Sequence, residues 1–348
     1  RLYEVTNGKP KLIFDPSSFT NEQSFRTYVT ENSIWLASNS VGVYHIDSTL
    51  QLVNEQPYFA NNTISAVTED KEGNILLGTF GKGIIVIPKL STQDLKIPER
   101  QEAVSVTVLG TDLLFGTRSG VVYRYDEARQ FQTVRNKKVK SMEALFSLGY
   151  DELLLGEFDA VHINLSNGLE TELNIGSVKD VFEVSDSTYL IATNQGAYWY
   201  NKITRDAQRM DGSSRRHYTV GFNTVTKHVY LGTADGLYLV DSLNQKRVIE
   251  LENSPVMARD IIDCDGSMFV STSEFGLLQF TNDNLLKIWD KDSGLMSNKV
   301  GQLRAYDGKV ILATDKGVQI LDQAENRIQY IAQSDGLNSN RIIDMEIW

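Results

Sequence analysis

The chain has 348 residues, 41% of them apolar, and a formal net charge of −11 with acidic and basic side chains interspersed. With no basic stripe it argues against nucleic acid, whose affinity for proteins comes largely from neutralised phosphates. No apolar run approaches the roughly 20 residues that span a bilayer as a helix. The single cysteine, Cys264, excludes an internal disulfide and a cysteine-based zinc site.

Residues 1–20 read as two strands ending in the turn Asp15-Pro16-Ser17-Ser18. The unit from Phe25 to Val53 holds Ile34-Trp35-Leu36-Ala37-Ser38 and a loop closed by Gly42, with Trp35 and Tyr44 as core residues. Residues 62–87 show the same unit most fully. Ile64, Ala66 and Thr68 alternate with Ser65, Val67 and Glu69 as in a strand. Asp70-Lys71-Glu72-Gly73-Asn74 is a turn, with Gly73 free to take a positive φ. Ile75-Leu76-Leu77 is too short for a helix and reads as a buried strand. Gly81-Lys82-Gly83 turns into a third strand, Ile84 to Ile87.

This cassette, an apolar triplet, Gly or Ala, Thr or Ser, a short loop, Gly and an apolar strand, recurs eight times. Its loop-closing positions are 42, 83, 120, 160, 196, 236, 276 and 317, so successive differences are 41, 37, 40, 36, 40, 40 and 41 residues. A period near forty with four short strands per unit predicts an all-β fold, a β-propeller of four-stranded antiparallel blades: eight full cassettes plus one split blade. Each blade needs neighbours to bury its faces. On this reading residues 1–20 are outer strands of an incomplete blade, 21–333 the propeller blades, and 334–348 the first strand of a further or ring-closing blade.

Some stretches depart from the repeat. Pro88 to Pro98 reads as a loop or weak edge strand. Arg135-Asn136-Lys137-Lys138-Val139-Lys140 is either an anion site or a solvated connector. The fourth blade has Glu157 where others have Thr or Ser, and Ala160 where most have Gly, with Phe158 and Asp159 between. A small hydroxyl there satisfies backbone groups at a strand end; a carboxylate either pairs with a neighbour or faces something outside the fold. The connector Arg209 to Tyr218 combines Arg215, Arg216, His217 and Tyr218, a set able to hold carboxylates or hydroxyl-rich ligands. Cys264 sits at a turn edge as an inert residue. Asp292 to Val300 and Ser334 to Ile342 share the phrase D-G-L or S-G-L, then x-S-N, a turn followed by a strand.

Both ends read as cut: Arg1–Val5 aligns with the third strand Gly42–Ile46, and Arg341–Trp348 with the first strand Lys299–Tyr306. The chain is therefore expected to be a fragment of a longer protein, or one ring whose ends share a blade; a ring of seven plus part of a second is favoured.

Asp335 to Ile342, and Asp70 to Gly83 with its D-x-x-G-x-(L/I)-x-(I/L)-G-T-x-x-x-G body, resemble the two-component regulator propeller repeat. Only Trp35 stands where that family usually has tryptophan, and the fourth blade lacks both Thr and Gly. The resemblance implies a periplasmic ectodomain of an inner-membrane protein, usually two seven-bladed rings ahead of a β-sandwich, a membrane helix and a histidine kinase. It implies sensing of glycan fragments in Bacteroidetes-type systems. Any membrane anchor would lie in segments outside this chain.

Catalytic motifs are absent. His45, His162, His217 and His228 fall in different blades, with no metal-ligand spacing, and there is no nucleophile elbow, P-loop or dinucleotide fingerprint. No cofactor and no metal is expected, and the region is expected not to be an enzyme. Carboxylates such as Glu157 with Asp159, or Asp235 with Glu274, could in principle converge at the axis. Binding is the more natural task. In a propeller the loops joining second to third strands and the inter-blade connectors share one face. They place there the candidate ligand-binding residues Phe80, Arg118, Phe158, Asp159, Arg215, Arg216, His217, Tyr218, Asp235 and Phe275. Aromatics mixed with such polar groups suit an oligosaccharide or other small ligand, and equally a protein surface. The expected function is a sensor that signals through ligand-biased packing or homodimer geometry; the alternative is a protein-docking, secretion-associated propeller with no small ligand.

Overall fold

The computed structural model describes all residues except 1, 7–8, 16–24, 31–32, 39–41, 54–56, 61, 71–73, 88–94, 127, 129, 211, 213–214, 333–336 and 338. The turns at Pro16–Ser18 and Gly73, the stretch 88–94, Asp211, Ser213 and Ser214 of the polar connector, and residues 334–336 and 338 of the second shared phrase lie outside the described residues. Among the described residues the fold is all-β, relieved by one 3-10 turn at Pro98–Arg100. The chain divides into two compact units, Arg1–Gln93 and Asp94–Trp348.

The first unit holds the hairpin Leu2–Thr6 with Lys9–Phe14 and two three-stranded antiparallel sheets, one per cassette. Trp35, Val43, Ile64 and Leu77 pack between those sheets. Trp35 stacks on His45 at 4.2 Å, and its indole Nε1 donates to Ser33 Oγ. In the second cassette the three expected strands are Ile64–Glu69, Ile75–Thr79 and Ile84–Ile87.

The second unit holds six blades, the third to the eighth cassettes, each a sheet of four strands in sequential antiparallel order; the sixth gains a two-residue fifth strand. The third blade runs Ala103–Leu109, Asp112–Thr117, Val121–Tyr125 and Phe131–Asn136. The inner strands of the next five are Ala144–Ser147, Val178–Ser185, His217–Phe222, Ala258–Cys264 and Val300–Tyr306. Each second strand is an apolar run because both its faces are covered, and the core lies in layers between successive blades. Between the seventh and eighth, Phe269, Leu277, Leu303, Leu312 and Leu321 are buried together. A fully buried leucine contributes about 1.5–3 kcal/mol by burial alone.

The cassette's conserved chemistry is visible within each blade. Thr79, Thr193, Thr233, Thr272 and Thr314 donate from Oγ1 to the carbonyl of the glycine that closes their own loop, at 2.8–3.1 Å. Thr117 does so to Val121, one residue beyond Gly120. The glycines at 42, 83, 120, 236, 276 and 317 take φ between 77° and 139°, the region L side chains avoid.

Glu157 has no hydroxyl to give. It pairs with Arg135 at 2.6 Å, and Arg135 also reaches Glu170 and the Gly120 carbonyl. Arg135 and Asn136 complete the outer strand of the third blade, so the basic run begins inside a sheet. The Arg135 guanidinium, with Lys137, holds the Glu170 carboxyl down at about 2 against the opposing effect of burial. Cys264 ends a strand, and burial pushes its thiol up to about 11, as expected of an inert cysteine.

Candidate functional site at the axis of the six-bladed unit

A polar cavity of about 240 Å³ runs between the inner strands of the second unit. Its lining follows from a recurrent irregularity. The inner strands of the fifth, sixth and seventh blades slip register where they begin, between Val178 and Asp180, His217 and Thr219, and Ala258 and Asp260. Each bulge leaves one residue unpaired and re-aims it. Those residues are Lys179, Tyr218 and Arg259, and all three line the cavity. The eighth blade slips between Val300 and Leu303, which frees Gln302 in the same way.

The residue after each bulge forms a second ring. Asp180 Oδ1 accepts from the Val181 amide at 2.8 Å, while Oδ2 accepts from Thr219 Oγ1 at 2.6 Å and the Val220 amide at 3.1 Å on the next blade. Asp260 repeats the arrangement, accepting from the Ile261 amide at 2.8 Å and the Leu303 amide at 2.7 Å. Asp344 does so again, with the Met345 amide at 2.8 Å, and Ser105 Oγ and the Val106 amide both at 2.7 Å. Each aspartate thus ties its own segment to the inner strand that follows. Ile343, Asp344 and Glu346, near the end of the sequence, line the cavity beside the inner strand of the third blade.

Burial pushes the Asp180 carboxyl up, and burial followed by the charge of Asp180 pushes Asp260 up to about 7. Arg304 offsets part of this: its guanidinium lies 3.8 Å from Asp260, 3.8 Å from Asp344 and 3.3 Å from Glu346. Lys179 pairs with Glu143, and Arg259 Nε donates to Ser273 Oγ at 2.6 Å. The aspartates are saturated with donors, so their work is to hold blades together. The groups left to meet a ligand are the Tyr218 side chain and Gln302, whose buried Oε1 has no hydrogen-bond partner among the described residues. Among those residues no group of three or more His, Cys, Asp or Glu is arranged to hold a metal ion.

The residues singled out in the sequence distribute unevenly. Tyr218 lines the cavity, and Arg216 sits over its ring at 5.5 Å. Arg215 pairs with Asp235, joining the connector to the loop between the sixth blade's second and third strands. His217 is buried and bonded to the Arg215 carbonyl at 2.7 Å, its pKa lowered by burial, so it points into the blade. Asp159 Oδ1 accepts from the amides of Ala160, Ile175 and Gly176 at 2.7–2.9 Å, supplying the loop bonds that Glu157 cannot. Arg118 is locked to Glu102 by two bonds of 2.8 and 2.9 Å. Phe275 is half-buried against the core of the sixth and seventh blades. Phe158 is 96% exposed; Phe80, in the first unit, is 69% exposed. Glu157 with Asp159, and Asp235, each have partners away from the axis; the axial carboxylates are Asp180, Asp260, Asp344, Glu143 and Glu346.

Comparison with known proteins adds three findings. No curated protein matches the sequence. Among solved structures, the chain is similar to the extracellular domain of BT3049 from B. thetaiotaomicron, described as a hybrid two component system. TM-score is 0.58 and identity 16%, over 90% of this chain and 47% of that one, so the chain spans about half of that domain. It is also similar to the computationally designed Ika8 protein (TM-score 0.51, 15% identity, 88% of this chain and 95% of that one). A catalytically inactive virginiamycin B lyase from Staphylococcus aureus, solved with quinupristin, scores 0.56 at 9% identity over 71% of this chain and 89% of that one. At such identities the likeness is one of fold. The sequence model of the two component regulator propeller matches residues 58–81, the second cassette and its approach. The chain carries the two-component regulator propeller repeat.

Proposed function

We propose that this chain is part of the extracytoplasmic sensor of a two-component regulatory system, binding a hydroxyl-rich ligand of the glycan-fragment class at the mouth of the axial cavity. The observation that carries the reading is the repeat at residues 58–81. The geometry supports it: Tyr218 offers an aromatic ring with the Arg216 guanidinium beside it, and Gln302 lines the same cavity with an unused acceptor. A flat ring with convergent polar groups is what sugar recognition requires. Among the described residues no helix is long and apolar enough to cross a membrane. In this reading the region does no chemistry; occupancy biases packing or dimer geometry and is passed to a histidine kinase.

The test is a thermal-shift screen against plant and host oligosaccharides, repeated with Tyr218→Ala. A ligand that binds only the native state raises the melting temperature with concentration. A shift present in the wild type and lost in the variant supports the site; a shift retained in the variant moves it elsewhere. A second reading, docking of a protein, is favoured by Phe158, whose ring is almost wholly exposed. Under it no sugar produces a shift and Phe158→Ala abolishes the protein contact.

A further inference from the structure

Two features of the sequence, the ring of Phe158 and the basic run that ends at Lys140, lie outside the axial cavity, and the structure ties them to one place. Phe158 stands between two carboxylates that both turn inward: Glu157 to Arg135, and Asp159 to the amides of Ala160, Ile175 and Gly176. The Glu157 amide also donates to the Asp159 carbonyl at 3.2 Å. The tip of the loop is thereby fixed, while its ring is almost wholly exposed. The connector from the third to the fourth blade leaves from the same ion pair. Lys137, two residues after Arg135, pairs with Glu170 at 2.8 Å, and the Val139 and Met142 amides donate to the carbonyls of Ser119 and Arg118. The carboxylates that touch this loop and connector, Glu157, Asp159 and Glu170, are thus all taken. Lys138 and Lys140 are exposed and have no hydrogen-bond or ion-pair partner among the described residues. Against these two lysines stands one exposed glutamate, Glu172, at the end of the fourth blade's outer strand.

We infer that this surface of the third and fourth blades docks an acidic segment of a partner protein. An apolar side chain of that segment packs on the Phe158 ring, and its carboxylates meet Lys138 and Lys140. The inference rests on the docking reading of Phe158, names the chemistry of its partner, and asks nothing of the axial cavity. A large aromatic ring on a fixed loop is the kind of group that anchors an interface, because the loop has little freedom left to lose on binding. Unpaired lysines at its rim steer a partner of opposite charge and turn away one of like charge. In a chain of net charge −11 the patch is a local exception, so the same segment is repelled by the chain as a whole and drawn to this face.

Selection of displayed random peptides on the intact chain reads the partner's chemistry directly. Phe158→Ser, and the double variant Lys138→Glu with Lys140→Glu, serve as counter-screens. All three positions are exposed and the pair of Arg135 with Glu157 stays in place, so their urea unfolding curves are expected to overlie that of the wild type. The enriched peptides are expected to carry Asp or Glu on both sides of a bulky apolar residue. One such synthetic peptide, followed by fluorescence anisotropy, is expected to bind each variant about ten-fold or more weakly, and to bind the wild type less well as salt is raised. Peptides that need Phe158 but show no acidic bias leave the docking reading standing and overturn the acidic partner. Peptides that bind Phe158→Ser as well as the wild type, or no enrichment at all, overturn both. An oligothymidylate held more tightly than the peptide through the same lysines also overturns the inference.

Discussion

Replacing Arg135 tests how the fourth blade tolerates losing its hydroxyl. The Arg135 side chain is 4% exposed and Glu157 9% exposed, so neither has water to fall back on. Arg135→Met leaves Glu157 as a buried charge without its partner, which costs about 3–5 kcal/mol. Glu170 suffers less, because it is part-exposed and keeps Lys137 at 2.8 Å. Glu157→Thr is milder. Arg135 retains two bonds to Glu170 and one to the Gly120 carbonyl, and the new hydroxyl restores the group that caps the loop in the other blades. That change is expected to cost about 1–2 kcal/mol. The double variant should be more stable than Arg135→Met alone, giving a coupling of about 2 kcal/mol in a double-mutant cycle. Urea unfolding at pH 7, followed by tryptophan fluorescence, supplies all four free energies. If Arg135→Met costs under 1 kcal/mol, or Glu157→Thr costs as much as it does, the buried-pair account is wrong.

Other expectations follow from the same physics. Asp260 holds a proton in the folded state up to about 7, whereas an unfolded aspartate releases it near 4. The native state therefore binds more protons across that window, and the contribution of this group to stability falls as pH rises, by up to about 4 kcal/mol. Asp260→Asn should gain on the wild type by that order between pH 4 and 8; parallel stability curves contradict it. Gly276→Ala places a Cβ 2.1 Å from the Trp289 carbonyl oxygen at φ 79°, and should lose about 2 kcal/mol or more in urea unfolding. Ala160→Gly, at the matching position of the fourth blade, should cost no more than about 1 kcal/mol, because the loop there is held by Asp159. Leu303→Ala, in the layer between the seventh and eighth blades, should cost about 2–5 kcal/mol.

The blades were legible because their signal is local and repeated. An apolar triplet, a threonine and a glycine mark a strand and its loop, and the Oγ1 bonds of Thr193, Thr233, Thr272 and Thr314 give that spacing its physical cause. Apart from Tyr218, the lining of the axial site was not legible, for the opposite reason. A strand pattern of period two assigns Lys179, Tyr218 and Arg259 to whichever face alternation dictates, and a bulge overrides it. In the second cassette the bulge between Ile64 and Ala66 buries Ile64 with Val67, against strict alternation. A signal was present: Val178-Lys179-Asp180-Val181, Ala258-Arg259-Asp260-Ile261 and Ile342-Ile343-Asp344-Met345 share an acidic residue one place before an apolar one. Reading it as a tie between blades requires knowing that the next inner strand presents a bare amide there. The partner of Glu157 was also out of reach, since Arg135 lies 22 positions back, in the outer strand of a different blade.

The account stands most directly on whether the axial mouth binds a sugar. Isothermal titration of the folded chain, and of Tyr218→Ala and Arg216→Ala, against any oligosaccharide that raises the melting temperature would decide it. The account predicts saturable binding to the wild type, weakened about ten-fold or more in each variant, with unfolding curves little changed. Binding of equal strength in all three proteins, or no binding by any glycan that the screen contains, would contradict it.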